Sequence, residues 1–138
     1  MSKFRNTKNS VLVAAVCAAS LAMSAADRQL EYRILATSKT STMEKELNAA
    51  GAAGYRFSKA MGGKSANGGQ EVIVAMMRDA GASAEGVRKY RLLATNRTST
   101  MQKELQEAGA QGYVLLGLAV GKTEIGGDEI VTILRRDD

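Results

Sequence analysis

Hydrophobic and polar residues along this chain follow two periods, which together predict a strand, a helix and two more strands. Residues 32–37 alternate between two faces, as they do in a strand with one buried side. Residues 43–54 carry apolar and small side chains at helical spacing, with charged residues between them. Residues 55–61 and 71–78 predict a second and a third strand, joined by a glycine-rich hairpin loop.

The pattern occurs twice, because the segment Tyr32–Asp79 repeats without a gap as Tyr90–Asp137. The sequence YRILAT at 32–37 returns as YRLLAT at 90–95, and roughly half of all paired positions are identical. Each repeat has about 48 residues, too few to bury a comfortably stable core alone. We therefore expect the two repeats to share one core.

The third strand of each repeat predicts the order of the sheet. Residues 71–78 are apolar on both faces, as is typical of a central strand covered on both sides, and residues 129–136 repeat this pattern. We expect an α+β domain of two tandem β-α-β-β repeats related by a pseudo-twofold axis. Its sheets would be antiparallel or mixed, with a helix on the outer face of each, and a continuous six-stranded sheet is the alternative. The expected repeats are residues 27–79 and 89–138, joined by a flexible linker at 80–88.

Each predicted helix has sequence signals at both ends. Ser41 and Glu44 have the spacing of a capping box, in which the serine hydroxyl accepts a hydrogen bond from a backbone N–H of the first turn. Ser99 and Gln102 repeat this spacing in the second helix. Glycines at 54 and 112 predict helix ends in the left-handed conformation, just before a tyrosine that enters the next strand.

The first 26 residues have the three parts of a secretory signal peptide. Lys3, Arg5 and Lys8 form a basic start, residues 11–23 are small or apolar, and small residues precede Asp27. The apolar run is shorter than the roughly 20 residues of a membrane-spanning helix, although an N-terminal anchor is the alternative. We therefore expect a periplasmic or secreted protein that begins near Asp27 and has no membrane span after cleavage.

Charge and composition narrow the function classes. The formal charge of +5 falls to +2 when the three basic residues of the signal are removed, so nucleic acid is not an expected partner. The chain has no histidine, and its one cysteine, Cys17, lies in the predicted signal, so the usual zinc and copper ligands are missing. Glu71 and Glu129 start equivalent strands but have no evident catalytic partner. We expect no catalytic residues, no metal site and no cofactor.

The loop before each helix is the candidate binding site. Hydroxyls, one basic side chain and free backbone N–H groups converge where the helix dipole favours an anion. The candidate residues are Lys39, Thr40, Ser41 and Thr42 in the first repeat and Arg97, Thr98, Ser99 and Thr100 in the second. The alternative is that these residues only cap their helices. Methionines that could suggest copper, Met43, Met61, Met76, Met77 and Met101, are interpreted as core residues.

The segment 47–55, which reads LNAAGAAGY, resembles the end of the helix in a short bacterial domain-of-unknown-function family, numbered 4177. Leu105, Gly109 and Gly112-Tyr113 fit the same pattern in the second repeat. The resemblance implies a small α+β fold and brings no catalytic residues. The sequence therefore predicts a non-catalytic module that binds a protein or another envelope component. The alternative is a protein that binds a small anion at the helix N-termini or in the cleft between the repeats.

Overall fold

The computed structural model describes residues 28–66, 69–83, 86–122 and 127–138, which form two three-stranded sheets and two helices. The predicted signal peptide at 1–26 lies outside these residues. The first repeat contains β1 (Leu30–Thr37), α1 (Thr40–Ala52), β2 (Arg56–Lys64) and β3 (Gln70–Asp79). The second contains β4 (Arg88–Thr95), α2 (Thr98–Ala110), β5 (Val114–Lys122) and β6 (Asp128–Asp137). The α+β class predicted from the sequence is confirmed.

The third strand of each repeat lies at the centre of its sheet, as predicted. Sheet 1 has the order β1-β3-β2 and sheet 2 the order β4-β6-β5, and neighbouring strands are antiparallel. The register is the same in both: Tyr32 lies opposite Met77, and Tyr90 lies opposite Arg135. The two repeats are therefore similar units with equivalent positions, in two separate sheets instead of one continuous sheet.

The helices end as predicted but begin differently. Gly54 and Gly112 have φ angles of +86° and +84°, in the left-handed region that glycine adopts most easily. The capping-box prediction is wrong, because the N-cap residues are Lys39 and Arg97 and neither helix has a side-chain cap bond. Ser41 instead lies within the first turn of α1.

Each sheet has a helix face, which carries its own helix, and a reverse face. The helix face of sheet 1 includes Leu35, Val72, Val74 and Met76, which form one core cluster with Met43, Leu47 and Ala50 of α1. The reverse face of sheet 1 includes Tyr32, Ile34, Ile73, Ala75 and Met77. The reverse face of sheet 2 includes Tyr90, Leu92, Val131 and Ile133.

Unlike faces meet where the two repeats pack. A Cβ added to Gly62, on the helix face of sheet 1, would overlap the carbonyl oxygen of Val120 in β5. A Cβ added to Gly121, on the reverse face of sheet 2, would lie 2.7 Å from Cγ2 of Val72. The repeats are thus stacked head to tail, with the helix face of the first on the reverse face of the second. This departs from the predicted twofold, which would bring like faces together.

Helix α1 lies between the repeats and seals the free edge of β4. The side-chain amide of Asn48 donates to the carbonyl oxygen of Tyr90 and accepts from its N–H, both at 2.9 Å. The Glu44 carboxylate accepts from the N–H of Leu92, also at 2.9 Å. The expectation of an outward helix is therefore wrong for α1, and α2 makes no comparable contact with β1 within the described residues.

Burial follows from this stacking. Four consecutive residues of β6, Val131 to Leu134, are buried because both faces of this central strand are covered. In β3 only alternate residues are buried, since nothing in the described chain covers the reverse face of sheet 1. The prediction of a central strand covered on both sides is thus confirmed for β6 and wrong for β3.

Candidate functional site

The predicted anion-binding residues lie at the starts of their helices, four at each. Lys39 and Ser41 are exposed in the first set, and Arg97, Thr98 and Ser99 are exposed in the second. The N–H of Lys39 donates to the Thr37 hydroxyl at 3.0 Å, and the N–H of Arg97 donates to the Thr95 hydroxyl at 3.2 Å. Because the helices begin at Thr40 and Thr98, before the serines, the hydroxyls of Ser41 and Ser99 are not used as N-caps.

A more conspicuous surface is the reverse face of sheet 1. Tyr32, Ile34 and Met61 are 63%, 62% and 60% exposed. They surround the half-buried Ile73 and Met77 of the central strand. The prediction that Met61 belongs to the core is wrong, although Met43, Met76 and Met101 are buried as predicted. Met61 and Met77, which the sequence analysis interprets as core residues, thus belong to an apolar surface together with Tyr32 and Ile34.

A second apolar surface is the groove beside α2, on the helix face of sheet 2. It has a volume of about 420 Å³ and is lined by Met101 and Leu105 of α2 and by Leu118, Val120 and Ile130 of the sheet. Leu118 and Val120 are 55% and 49% exposed. In the first repeat the equivalent residues are Ala60 and Gly62, which lie at the junction. The change from small to large apolar residues between these paired positions is the sequence signal that could have distinguished the open groove of the second repeat from the closed junction of the first.

Four arginines line a polar cleft at the end of sheet 1 where β1 begins and β3 ends. The sequence analysis did not predict this cleft. Arg28, Arg56, Arg78 and Arg88 share a cavity of about 430 Å³. Arg78 forms an ion pair with Glu31 at 2.6 Å, and this hydrogen-bonded carboxylate raises the pKa of the Arg78 guanidinium. Arg56 and Arg78 come together because β2 begins beside the end of β3, and Arg28 lies just before β1 at the same end of the sheet. Arg88, the first residue of β4 in sheet 2, joins them because β4 packs beside Gly51 of α1.

A stacked arrangement fixes Arg78 in this cleft. The guanidinium groups of Arg33 and Arg78 both lie over the Tyr55 ring, at 4.5 and 4.8 Å from the ring centre. Arg78 also donates to the carbonyl oxygen of Ala53 at 3.0 Å. The equivalent Arg91 and Arg136 lie over the Tyr113 ring in the second repeat, so this cation–π contact is part of the repeated unit. Arg78 therefore has a structural role, whereas Arg28 and Arg56 are exposed.

The remaining candidates for a metal-binding or reactive site are the acidic residues. Within the described ranges no three acidic or thiol side chains lie close enough together to hold a metal ion. Glu71, at the start of β3, has one carboxylate oxygen shielded from solvent with no hydrogen-bond donor among the residues described.

None of the helices in the described part of the chain is both long enough and apolar enough to cross a membrane.

Neither the protein-family models, nor the curated proteins, nor the solved structures contain a match to this chain.

Proposed function

We propose that this protein is a non-catalytic module, secreted or periplasmic, that binds another protein or an envelope component through the reverse face of sheet 1. The observation that carries this proposal is the exposure of Tyr32, Ile34 and Met61 together on one sheet face. Monomeric proteins rarely leave large contiguous apolar surfaces open, and such surfaces commonly mark interaction sites.

The form of the junction between the repeats supports a macromolecular partner over a small ligand. Gly62, Gly117 and Gly121 let the sheets approach closely, and the side chain of Phe57 would meet a Cβ at Gly117 at 2.9 Å. The described apolar groove is lined by the second repeat alone. A site for an apolar small ligand shared by the repeats would instead need an apolar cavity between them.

Site-specific photo-crosslinking in the producing cells tests this proposal. A photoreactive amino acid replaces Ile34 in one variant and Val87 in another, since these residues are 62% and 64% exposed and only Ile34 lies on the reverse face of sheet 1. We expect a discrete adduct from position 34 and none from position 87. Equal adduct patterns from both positions, or none from position 34, would refute the proposal.

A second candidate function is anion binding, and the arginine cleft favours it. Arg28 and Arg56 line this cleft, and none of the other described side chains forms an ion pair with either. Guanidinium groups bind carboxylates and phosphates with paired hydrogen bonds. Phosphate titration monitored by thermal stability tests this candidate, with the double variants Arg28→Ala/Arg56→Ala and Lys39→Ala/Arg97→Ala compared. Loss of a saturable response in the first variant only places the site in the cleft, whereas loss in the second only places it at the helix N-termini.

Membership of the domain-of-unknown-function family numbered 4177 is part of this proposal. It is supported by the residue pattern around Gly51, Gly54 and Tyr55 and by the repeated unit of strand, helix and two strands. The family supplies no catalytic residues, which agrees with a binding role.

A further inference from the structure

We propose that the reverse face of sheet 1 binds α2 and the adjoining groove of a second copy of this chain, so that copies assemble head to tail. This inference rests on the proposed function, because it names the partner of the same surface. The junction between the two repeats of one chain supplies the template: it already joins the helix side of one repeat to the reverse face of the next.

The polar contacts at the template junction have unused equivalents elsewhere on the chain. Asn48 and Glu44 bind the backbone of Tyr90 and Leu92 at the edge of β4. Their equivalents in α2 are Gln106 and Gln102, both exposed, and no described residue hydrogen-bonds to either side chain.

The matching edge is β1. Tyr32 and Ile34 have the same register against β3 as Tyr90 and Leu92 have against β6, so their N–H groups point away from the sheet. Nothing in the described chain accepts a hydrogen bond from these two groups. An open edge strand is a template for pairing with another chain, and the amide side chains of Gln102 and Gln106 suit it, since they both donate and accept.

The two helical glycines give independent support. A Cβ on Gly51 would lie 3.0 Å from the Tyr90 ring, so glycine is needed there for the tyrosine to pack on α1. Gly109 is the equivalent residue in α2, and a Cβ there would meet no described atom within 4 Å. Glycine inside a helix is unfavourable unless close packing requires it. The ring of Tyr32 from a second copy would supply that packing.

Differences between the repeats adapt the proposed junction between two copies to larger side chains. Val120 replaces Gly62 on the helix side, and Met61 replaces Ala119 on the reverse face. The sheets of two copies must therefore lie farther apart near β5 than the sheets within one chain. The exposed side chains of Leu118, Val120 and Met61 would fill that wider space, because burial of their apolar surface is favourable.

Joining unlike faces has a geometric consequence. Each copy keeps one free helix side and one free reverse face, so successive copies either close into a ring or extend as a filament. Both products are head-to-tail assemblies of this chain. A contact between two identical faces would instead stop at a dimer.

Sedimentation velocity of the purified protein over a range of concentrations tests the inference. We expect reversible self-association of the wild type, and a Kd at least about tenfold higher for Ile34→Lys and for Gly109→Leu, since each change falls at the centre of the interface. Val87→Lys is the matched control, because Val87 is 64% exposed but lies on neither surface, and it should associate like the wild type.

Mixing the two variants separates this arrangement from other contacts. Ile34→Lys keeps an intact α2, and Gly109→Leu keeps an intact reverse face, so the mixture should form a one-to-one dimer that neither forms alone. No dimer in the mixture, or a wild type that stays monomeric to about 1 mM, overturns the inference. If position 34 still crosslinks to a different protein in cells, the proposed function survives that failure; if it crosslinks to nothing, both fail.

Discussion

Replacing Gly51 or Gly109 by alanine makes the same chemical change at equivalent positions of α1 and α2, but in different surroundings. Alanine in a helix interior is favoured over glycine by about 0.5–1 kcal/mol, mainly through backbone entropy. At Gly109 nothing described opposes that gain, because no neighbouring atom lies within 4 Å of the new methyl group. We therefore expect Gly109→Ala to raise the free energy of unfolding of the monomer by about 0.5–1 kcal/mol.

At Gly51 the new methyl group would lie 3.0 Å from Cε2 of Tyr90 and 3.3 Å from the carbonyl oxygen of Arg88. Both Gly51 and Tyr90 are buried, and the Tyr90 hydroxyl is also fixed by the N–H of Phe57 at 3.1 Å. Overpacking of this kind costs roughly 1–3 kcal/mol. After the gain in helix propensity, we expect Gly51→Ala to lower the free energy of unfolding by about 0.5–2 kcal/mol.

Urea unfolding at low protein concentration measures both variants against the wild type. The concentration must be low because association would add its own stabilisation. Changes of opposite sign are expected, with unchanged dependence on urea. The same sign for both variants, or destabilisation by Gly109→Ala, would refute the reasoning that only Gly51 is packed within one chain.

Three further expectations follow from the junction and the N-terminal sequence. Asn48→Ala should lower the free energy of unfolding by about 1–3 kcal/mol, because it leaves backbone groups of Tyr90 unpaired. The equivalent change Gln106→Ala should alter the free energy of unfolding of the monomer by less than about 0.5 kcal/mol, and urea unfolding measures both. Residues 27–82 expressed alone should give a poorly dispersed NMR spectrum, since α1 and β2 bury their apolar side chains against the second repeat, and well-dispersed amides would argue against a shared core. The exported protein should begin near Asp27 by intact mass, and a soluble product that retains residues 1–26 would disprove secretion.

Strand order and helix ends were predictable because they depend on local pattern. A strand apolar on both faces belongs at the centre of a sheet, and Gly54 and Gly112 are glycines because a left-handed residue ends each helix. The helix starts were not predictable from the serine spacing, since Thr37 accepts the Lys39 N–H and the helix begins before Ser41.

The way in which the repeats pack was beyond pattern analysis. Both repeats have the same alternation, so period alone does not say whether like or unlike faces meet. That choice depends on single residues at the junction, such as Gly62, Gly117 and Asn48, whose equivalents Val120, Lys59 and Gln106 differ in size or polarity. The arginine cleft was missed for a related reason: its side chains are distant in sequence and meet only through strand register in sheet 1 and the packing of the second repeat against the first.

Amide hydrogen exchange at two protein concentrations tests the head-to-tail account most directly. At low concentration the N–H groups of Tyr90 and Leu92 should exchange slowly, because α1 seals their edge, and those of Tyr32 and Ile34 should exchange fast. At high concentration the Tyr32 and Ile34 amides should become protected as a second copy covers β1. Protection of both edges at low concentration, or fast exchange of the β1 amides at every concentration, would contradict the account.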